Sequence, residues 1–358
     1  MAQQIKIKDI AERAGVSAGT VDRIIHGRGN VSQKNRAAVE AVLKEVGYRP
    51  NVHTSAVALK KTYRFSVCIP LPDDGEYWGS VKEGIESALD EYSDVSIVSR
   101  YFCYDQTDPA SCRECYDAVA EEPSDIVILG PTFEELTVDL CARLDSKGIP
   151  YIFVDCTIPN TRPVAAFCAD QPSCGRLLGS IIRMISPQDK EVIIAGRHRV
   201  GPATANNTRE IREGLFRYME EFSDCRPIFP TAIIGTAKSD CRNELELLLK
   251  DHPDTGLVAV INSRGHLVAD ALRDLGRKDI RVISFDLTRQ NERCLREGSI
   301  DLIILQHPEM QSFLAVKAAI EYLIYHKRDD DPMRPMPIDI ITRENIPGPS
   351  SYFNTKSQ

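Results

Sequence analysis

From Phe65 onward the chain alternates between short apolar runs and helical stretches, and that alternation leaves few architectures open. The runs are FSVCIPL, SIVSRYF, DIVILG, PYIFVDCT, EVIIAG, GLVAVIN, RVISFD and DLIILQ. Most are separated by helical patterns of ten or more residues, such as YWGSVKEGIESALDEY and EELTVDLCARLDSKG. This is the pattern of parallel sheets with crossover helices. Residues 63–358 are about twice a typical α/β half, so the body is expected to form two Rossmann-like lobes. The sequence has no solenoid repeat and no low-complexity tract. The acidic run Asp329–Asp331 lies between Lys327–Arg328 and the Pro-rich MRPMP, and reads as an exposed late connection.

Ligands of open α/β sheets sit beyond the carboxyl ends of the strands, and a cleft between two lobes gathers those ends. The polar residues found there are Asp155 after YIFV, Asp170 and Gln171 after VAAFCA, Asn262 after GLVAVI, Asp286 after RVISF and Gln306 after DLIIL. Carboxylates and amides converging on one cleft suit a polyhydroxylated ligand, because each can bridge neighbouring hydroxyls. Asp155 and Asp170 have a second reading, as N-caps of following helices.

The first 50 residues read differently. Ile7, Ile10, Ala11 and Ala14 form one apolar stripe of a helix that Gly15 ends. Ser17 caps a second helix running to about Ile25, and Ser32 caps a third with the stripe Val39, Val42, Leu43 and Val46. A helix, a tight Gly turn and a second helix is the helix-turn-helix arrangement. Charge is divided accordingly. Residues 1–62 carry 11 Lys+Arg against 5 Asp+Glu, while the remainder carries 33 against 47, within a net charge of −8. A basic head on an acidic body implies that only the head meets a polyanion.

The wording of the head, IKDIAERAGVSAGTVDRIIHGRGNVSQKNRAAVEAVLKEVGYRPN, resembles the DNA-binding head of the LacI/GalR bacterial repressor family. The likeness runs from Ile5 to Asn51. It includes D-I-A-x-x-A-G-V-S, the T-V-x-R of the reading helix, N-V-S before the third helix and the G-Y-R-P-N exit. The resemblance implies base contacts from Ala18, Gly19 and Arg23. Arg23 suits a bidentate contact to guanine, Ala18 a methyl contact to thymine, and Gly19 only close approach. Asp22 would orient Arg23 or accept from cytosine. Ser17 and Thr20 would contact phosphate, with Lys6, Arg28, Lys34 and Arg36. Asn51 closes the set. Pro50 stops the third helix, and residues 51–62 (NVHTSAVALKKT) stand where the family has a hinge helix that wedges an apolar side chain into the minor groove. Val57 would be that wedge. Val57 and Thr54 replace the usual Leu and Ala, and a plain linker is the other reading.

The body resembles the periplasmic-binding-protein type I fold that this family uses as effector domain, especially its ribose-binding branch. EYWGSVKEG supplies the aromatic pair Tyr77 and Trp78, and TREIREGLF supplies Arg209. INS, FD and LQHP supply Asn262, Asp286 and Gln306, with Asp155 before them. Cys156 stands where the branch has Arg, and Ser263 where it has Asp, which points to a ligand other than ribose. Tyr77 and Trp78 would stack on the C–H faces of a sugar ring; for Trp78 the alternative is a core aromatic.

Other chemistry is not indicated. The 11 Cys are scattered and read as reduced thiols. Cys112 and Cys115 form a C-x-x-C, which reads as ordinary surface and core thiols ahead of a redox pair or half a zinc site. His26, His198, His252 and His307 form no metal motif, and no P-loop, G-x-S-x-G or G-x-G-x-x-G occurs. No signal peptide or membrane span is apparent. The expectation is a cytoplasmic regulator, homodimeric because no heptad tail follows Ile346. It would need no cofactor, bind a pseudo-palindromic operator through the head, and respond to a small sugar-like effector in the cleft. The alternative is a sugar-processing enzyme with an accessory head.

Overall fold

The structure is a computed structural model that describes residues 7–25, 31–46, 61–73, 75–196, 206–232, 238–325 and 331–348. Lys6, Arg28, Asn51, Thr54 and Val57 lie outside the described residues, so the DNA contacts read for them, and the hinge read at 51–62 apart from its last two residues, fall outside them too.

The head contains α1 (Ile7–Ala14), α2 (Ala18–Ile25) and α3 (Gln33–Glu45). Their apolar stripes meet in one small core of Ile10, Ala11, Val21, Ile24, Ile25, Val39 and Val42. Gly15 turns the chain between α1 and α2 with φ 63°, a conformation that disfavours a Cβ. Ser17 accepts the Thr20 amide at 3.1 Å and starts α2.

The body has two sheets. The first contains β1 (Tyr63–Pro70), β2 (Ile97–Tyr104), β3 (Ile126–Leu129), β4 (Tyr151–Val154), β5 (Ala165–Ala169) and β11 (Met333–Met336), in the order β2-β1-β3-β4-β5-β11. Its helices are α4 (Tyr77–Glu91), α5 (Pro109–Glu121), α6 (Glu134–Lys147) and α12 (Pro308–Tyr325). The second contains β6 (Glu191–Gly196), β7 (Ile228–Ala232), β8 (Thr255–Val260), β9 (Arg281–Phe285), β10 (Leu302–Leu305) and β12 (Asp339–Ile341), in the order β7-β6-β8-β9-β10-β12. Its helices are α7 (Gln171–Ile185), α8 (Asn206–Glu221), α9 (Lys238–Asp251), α10 (Gly265–Asp274) and α11 (Arg289–Glu297). All described strand pairs are parallel except β10 with β12. Both lobes thus repeat one doubly wound order, with the switch of direction at β1/β3 and at β6/β8.

Central strands such as β3 (IVIL) and β4 (YIFV) are buried at every residue, because helices cover both faces. Of the acidic run read as an exposed connection, Asp329 and Asp330 lie outside the described residues; the flanking MRPM forms a strand, Met333–Met336 pairing in parallel with Ala166–Ala169. Pro335 is tolerated because β11 is an edge strand with one side unpaired.

The chain passes between the lobes three times: from β5 to α7, from β10 to α12, and from β11 to β12. Side chains tie these passages together. Gln171 Nε2 donates to Gln306 Oε1 at 2.9 Å, linking the first to the second. His307 Nε2 lies 2.9 Å from Asp339 Oδ2, linking the second to the third. Gln311, on α12 and 1% exposed, accepts the Asp155 amide at 2.9 Å and donates to the Gln306 carbonyl at 2.8 Å. One buried amide therefore positions a strand end of each lobe.

Gln311→Met keeps the volume and removes both bonds. The Gln306 carbonyl loses its Gln311 donor, while the Asp155 amide keeps the Phe167 carbonyl at 3.1 Å, and stability should fall by about 1–3 kcal/mol. A lower urea midpoint with an unchanged m-value would show this; an unchanged midpoint would mean that the bonds to Gln311 are dispensable.

Candidate effector cleft and reading helix

The carboxyl ends of β1, β3, β4, β8, β9 and β10 open on one cavity of about 180 Å³ between the lobes. Of the residues read as effector-binding, Tyr77, Trp78, Asp155, Asn262, Asp286 and Gln306 line it. The backbone aims two of the acids. Asp155 and Asp286 adopt φ 76° and 57° directly after their strands, and His307 adopts φ 57° after Gln306. Left-handed conformations at non-Gly residues are uncommon and cluster at functional sites. Here they turn the chain sharply where each strand leaves its sheet. Asp155 is followed by no helix, so the cap reading lapses for it. Asp170 does cap α7, accepting the Ser173 amide at 3.1 Å.

Tyr77 and Trp78 open α4 and meet edge-on, with ring centroids 5.2 Å apart. The Tyr77 hydroxyl donates to Asp155 Oδ1 at 2.6 Å. Burial and the negative charges of Asp155 and Asp286 hold that hydroxyl well above the usual phenol range, so it stays a donor. Trp78 belongs both to the wall of the cavity and to the core of the first lobe. Its ring lies against Gly130, where a Cβ would fall 2.6 Å from Trp78 Cζ3.

Asp286 is the most constrained acid. Ser263 Oγ donates to its Oδ2 at 2.8 Å, while Oδ1 is buried and has no partner among the described residues. Burial pushes its carboxyl up to about 7; the Ser263 bond opposes the rise and the Asp155 charge adds to it. Beneath it Asn291, fully buried on α11, donates to the carbonyls of Ser263, Phe285 and Asp286. Asn291 Oδ1 also takes the His266 amide at 2.8 Å. Ser263, Asn291 and Gln311 were not singled out as site residues from the sequence. Ser263 had a signal, as the neighbour of Asn262; the other two act through partners distant in sequence.

Asn262 lines the cavity, although its Oδ1 already accepts the Arg264 amide at 2.9 Å. Arg209 is set apart. It is exposed on α8 and pairs with Glu213 at 3.9 Å. The phase of the helix explains this, since Ile211 and Leu215 fix the buried face and bring Thr208 and Ile211, not Arg209, to the cavity. Cys156, where the resemblance placed a cation, donates its thiol to the Pro131 carbonyl at 3.3 Å. Among the described lining residues the carboxylates are Asp73, Glu76, Glu134, Asp155 and Asp286, and the one guanidinium is Arg264. Burial raises Glu76, and Arg264 in the opposite lobe partly offsets that rise. At the rim the lobes touch: the Arg289 amide donates to the Gly75 carbonyl at 3.0 Å. Gly75 has φ 80°, and a Cβ there would lie 2.9 Å from Arg289 Cβ.

In the head, Ala18, Gly19 and Arg23 are exposed and Asp22 half-buried, on the side of α2 opposite Val21, Ile24 and Ile25. Ser17 and Thr20 share a hydroxyl hydrogen bond of 2.9 Å at the start of that helix. Lys34 and Arg36 are exposed on α3, Arg36 4.0 Å from Glu40. Among the described residues no helix is long and apolar enough to cross a membrane, and no cluster of His, Cys, Asp and Glu is placed to hold a metal ion.

Known proteins share both parts. Residues 6–51 match the model of bacterial regulatory proteins, lacI family, and residues 65–327 that of the periplasmic binding protein domain. The HTH-type transcriptional regulator DegA of Bacillus subtilis is 30% identical over 288 residues, 79% of this chain and 81% of that protein. Catabolite control protein A of Staphylococcus xylosus is 30% identical over 149 residues, 41% of this chain. That match spans 43% of the relative, less than half its length. A crystal structure from Bacteroides fragilis, described as a candidate LacI transcriptional regulator, superposes with a TM-score of 0.75 at 29% identity. It covers 80% of this chain and 98% of that one. The family model and DegA are described as regulatory proteins, and neither description is that of a sugar-processing enzyme. The chain belongs to the LacI family of bacterial regulatory proteins.

Proposed function

We propose that the protein is a homodimeric, cytoplasmic transcription regulator whose α2 reads a pseudo-palindromic operator and whose cleft binds a small, uncharged, sugar-like effector. The convergence of Tyr77, Trp78, Asp155, Asp286 and Gln306 on one interlobe cavity carries the effector part of this reading. The cavity is smaller than the ~300–1,000 Å³ typical of drug-sized ligands, and suits one ring. Its aromatic wall fits the apolar face of a sugar, and its acids and amides fit hydroxyls. Carboxylates outnumber the described cation, so a phosphate or carboxylate on the ligand would be repelled. Asp286 Oδ1 is an unfilled acceptor for a ligand hydroxyl. Two heads related by a two-fold axis would read mirrored half-sites. Because the lobes are joined at three passages and touch at Gly75, closure on a ligand gives the body two arrangements that the heads can sense. Coupling between such sites is reciprocal, so operator DNA must alter effector affinity by the factor with which the effector alters operator affinity.

The single tryptophan tests the cleft directly. Titration with pentoses, hexoses, sugar phosphates, sugar acids and cyclitols should give a saturable change in Trp78 fluorescence for one neutral compound and none for its phosphate. A response to phosphates alone would reverse the charge argument, and silence across the panel would remove the sugar-like effector.

Arg23→Ala should reduce binding to operator sequences selected from a random pool by roughly 30- to 20,000-fold, since each half-site loses a bidentate base contact worth about 1–3 kcal/mol. Effector affinity and non-specific DNA binding should be unchanged. Equal losses on selected and scrambled DNA would mean that Arg23 contacts only phosphate.

Asp286 also leaves a pH signature. Its folded pKa of about 7 lies above the ordinary carboxylate value of 3.8, so the folded state holds a proton that the unfolded state has lost. Stability should therefore decline as pH rises from about 4 to 7, by up to about 4 kcal/mol from this group. Asp286→Asn should flatten that decline in urea titrations at successive pH values. An identical pH profile in the variant would mean that Asp286 titrates normally.

A further inference from the structure

The C-x-x-C of α5 is not absorbed by either the cleft or the reading helix, and the fold gives it an unexpected third member. Cys115 Sγ lies 3.6 Å from Cys68 Sγ, on the neighbouring strand β1. Cys68 is fully buried, whereas Cys115 is half-buried. Cys112 is fully buried one helical turn away from Cys115. Two thiols at i and i+3 inside a helix stand with Cβ atoms about 5–6 Å apart, beyond the ~3.5–4.5 Å that a disulfide needs. Cys112 and Cys115 both lie within the regular part of α5, so they cannot join without unwinding it. Cys103 on β2 is the other neighbour. It packs in the core on the face of the sheet that meets α4 and α12, together with Tyr63, Phe65, Val67 and Ile69. Cys68, Cys112 and Cys115 pack in the core on the opposite face. The sheet thus separates Cys103 from the pair.

We propose that Cys68 and Cys115 form a reversible thiol–disulfide modification site, oxidised by small hydroperoxides or low-molecular-weight disulfides. Closing the bond needs the sulfurs to move together by about 1.5 Å, to the ~2.05 Å of an S–S bond. The two thiols have different parts. The hydrogen bond from Cys68 holds the Cys115 thiol below its usual range, and burial pushes Cys68 up. Cys115, the thiol that reaches the surface while Cys68 is fully enclosed, is the attacking sulfur. Its thiolate breaks the O–O bond of hydrogen peroxide, forms a sulfenic acid and releases hydroxide. The Cys68 sulfur then attacks the sulfenic sulfur; the S–S bond forms, the S–O bond breaks and water leaves. The protein loses two electrons and two protons, and the peroxide becomes two waters. With a low-molecular-weight disulfide, Cys115 first forms a mixed disulfide, and Cys68 then displaces the small thiol.

The new bond would join β1 to α5 beside the cleft. The Cys68 carbonyl accepts the Gly130 amide at 2.9 Å, and Gly130 is the residue against which Trp78 packs.

The test uses the full chain with the exposed Cys225 replaced by Ser, treated with hydrogen peroxide or diamide under native conditions. Non-reducing peptide mapping should find one cross-link, between the Cys68 and Cys115 peptides, two hydrogens lighter and reversed by dithiothreitol. Cys68→Ser should leave Cys115 trapped as a sulfenic acid that dimedone labels, and Cys115→Ser should leave Cys68 unreacted. The map of the protein with both cysteines present stands even if a variant fails to fold. A Cys112–Cys115 or Cys103–Cys115 link would overturn the assignment, as would over-oxidation of Cys115 without any cross-link, or no reaction of Cys115 at all.

Discussion

Gln311 carries the constraint on which the cleft depends. Its amide sits at the start of α12, fully enclosed, with its oxygen on the Asp155 amide and its nitrogen on the Gln306 carbonyl. Asp155 belongs to the first lobe and Gln306 to the second passage between lobes. Their relative position is therefore set by two hydrogen bonds from one buried side chain, and displacing it costs the Gln306 carbonyl its Gln311 donor. The Gln171–Gln306 and His307–Asp339 bonds extend the same clasp to the other passages.

Electrostatics inside the cleft follows from one replacement and one orientation. Cys156 brings a neutral thiol, and Arg209 is turned outward by the apolar face of α8. Asp155 and Asp286 are then left facing one another through Tyr77, with the nearer relief coming from hydroxyl donors at Tyr77 and Ser263. A buried carboxylate so placed gains from a hydroxyl donor on a ligand, and loses from a second anion.

How much of this could be read beforehand depends on whether a residue acts through its neighbours in sequence or through distant ones. The parallel strands were legible because covering a strand on both faces makes it apolar throughout, as in IVIL and YIFV. The strand-end acids were legible because strand termini could be located. Strands β7, β11 and β12 were missed: IFPTA and MRPM carry prolines that only edge positions tolerate, and β12 has three residues. Arg209 was displaced by about one residue of helical phase, which no local pattern near a strand-to-helix loop determines. Asn291 and Gln311 carried no local signal at all, since their partners lie up to 28 and 156 positions away. The same holds for Cys68 and Cys115, separated by 47 positions and brought together by the packing of α5 on β1.

The three passages between lobes also govern how the chain can be made. The first lobe consists of Tyr63–Ala169 and then of α12 and β11, so the whole of α7 to β10 is inserted within it. During synthesis the face formed by Tyr63, Phe65, Val67 and Ile69 lacks the α12 residues Ala315, Val316, Ala319 and Ile320 until the second lobe has been translated. That lobe in turn waits for β12 to cover its edge. An apolar sheet face left open for so long on the ribosome is a site for chaperone capture and for aggregation. The nascent chain, rather than the finished protein, is the state in which this fold is most exposed to failure.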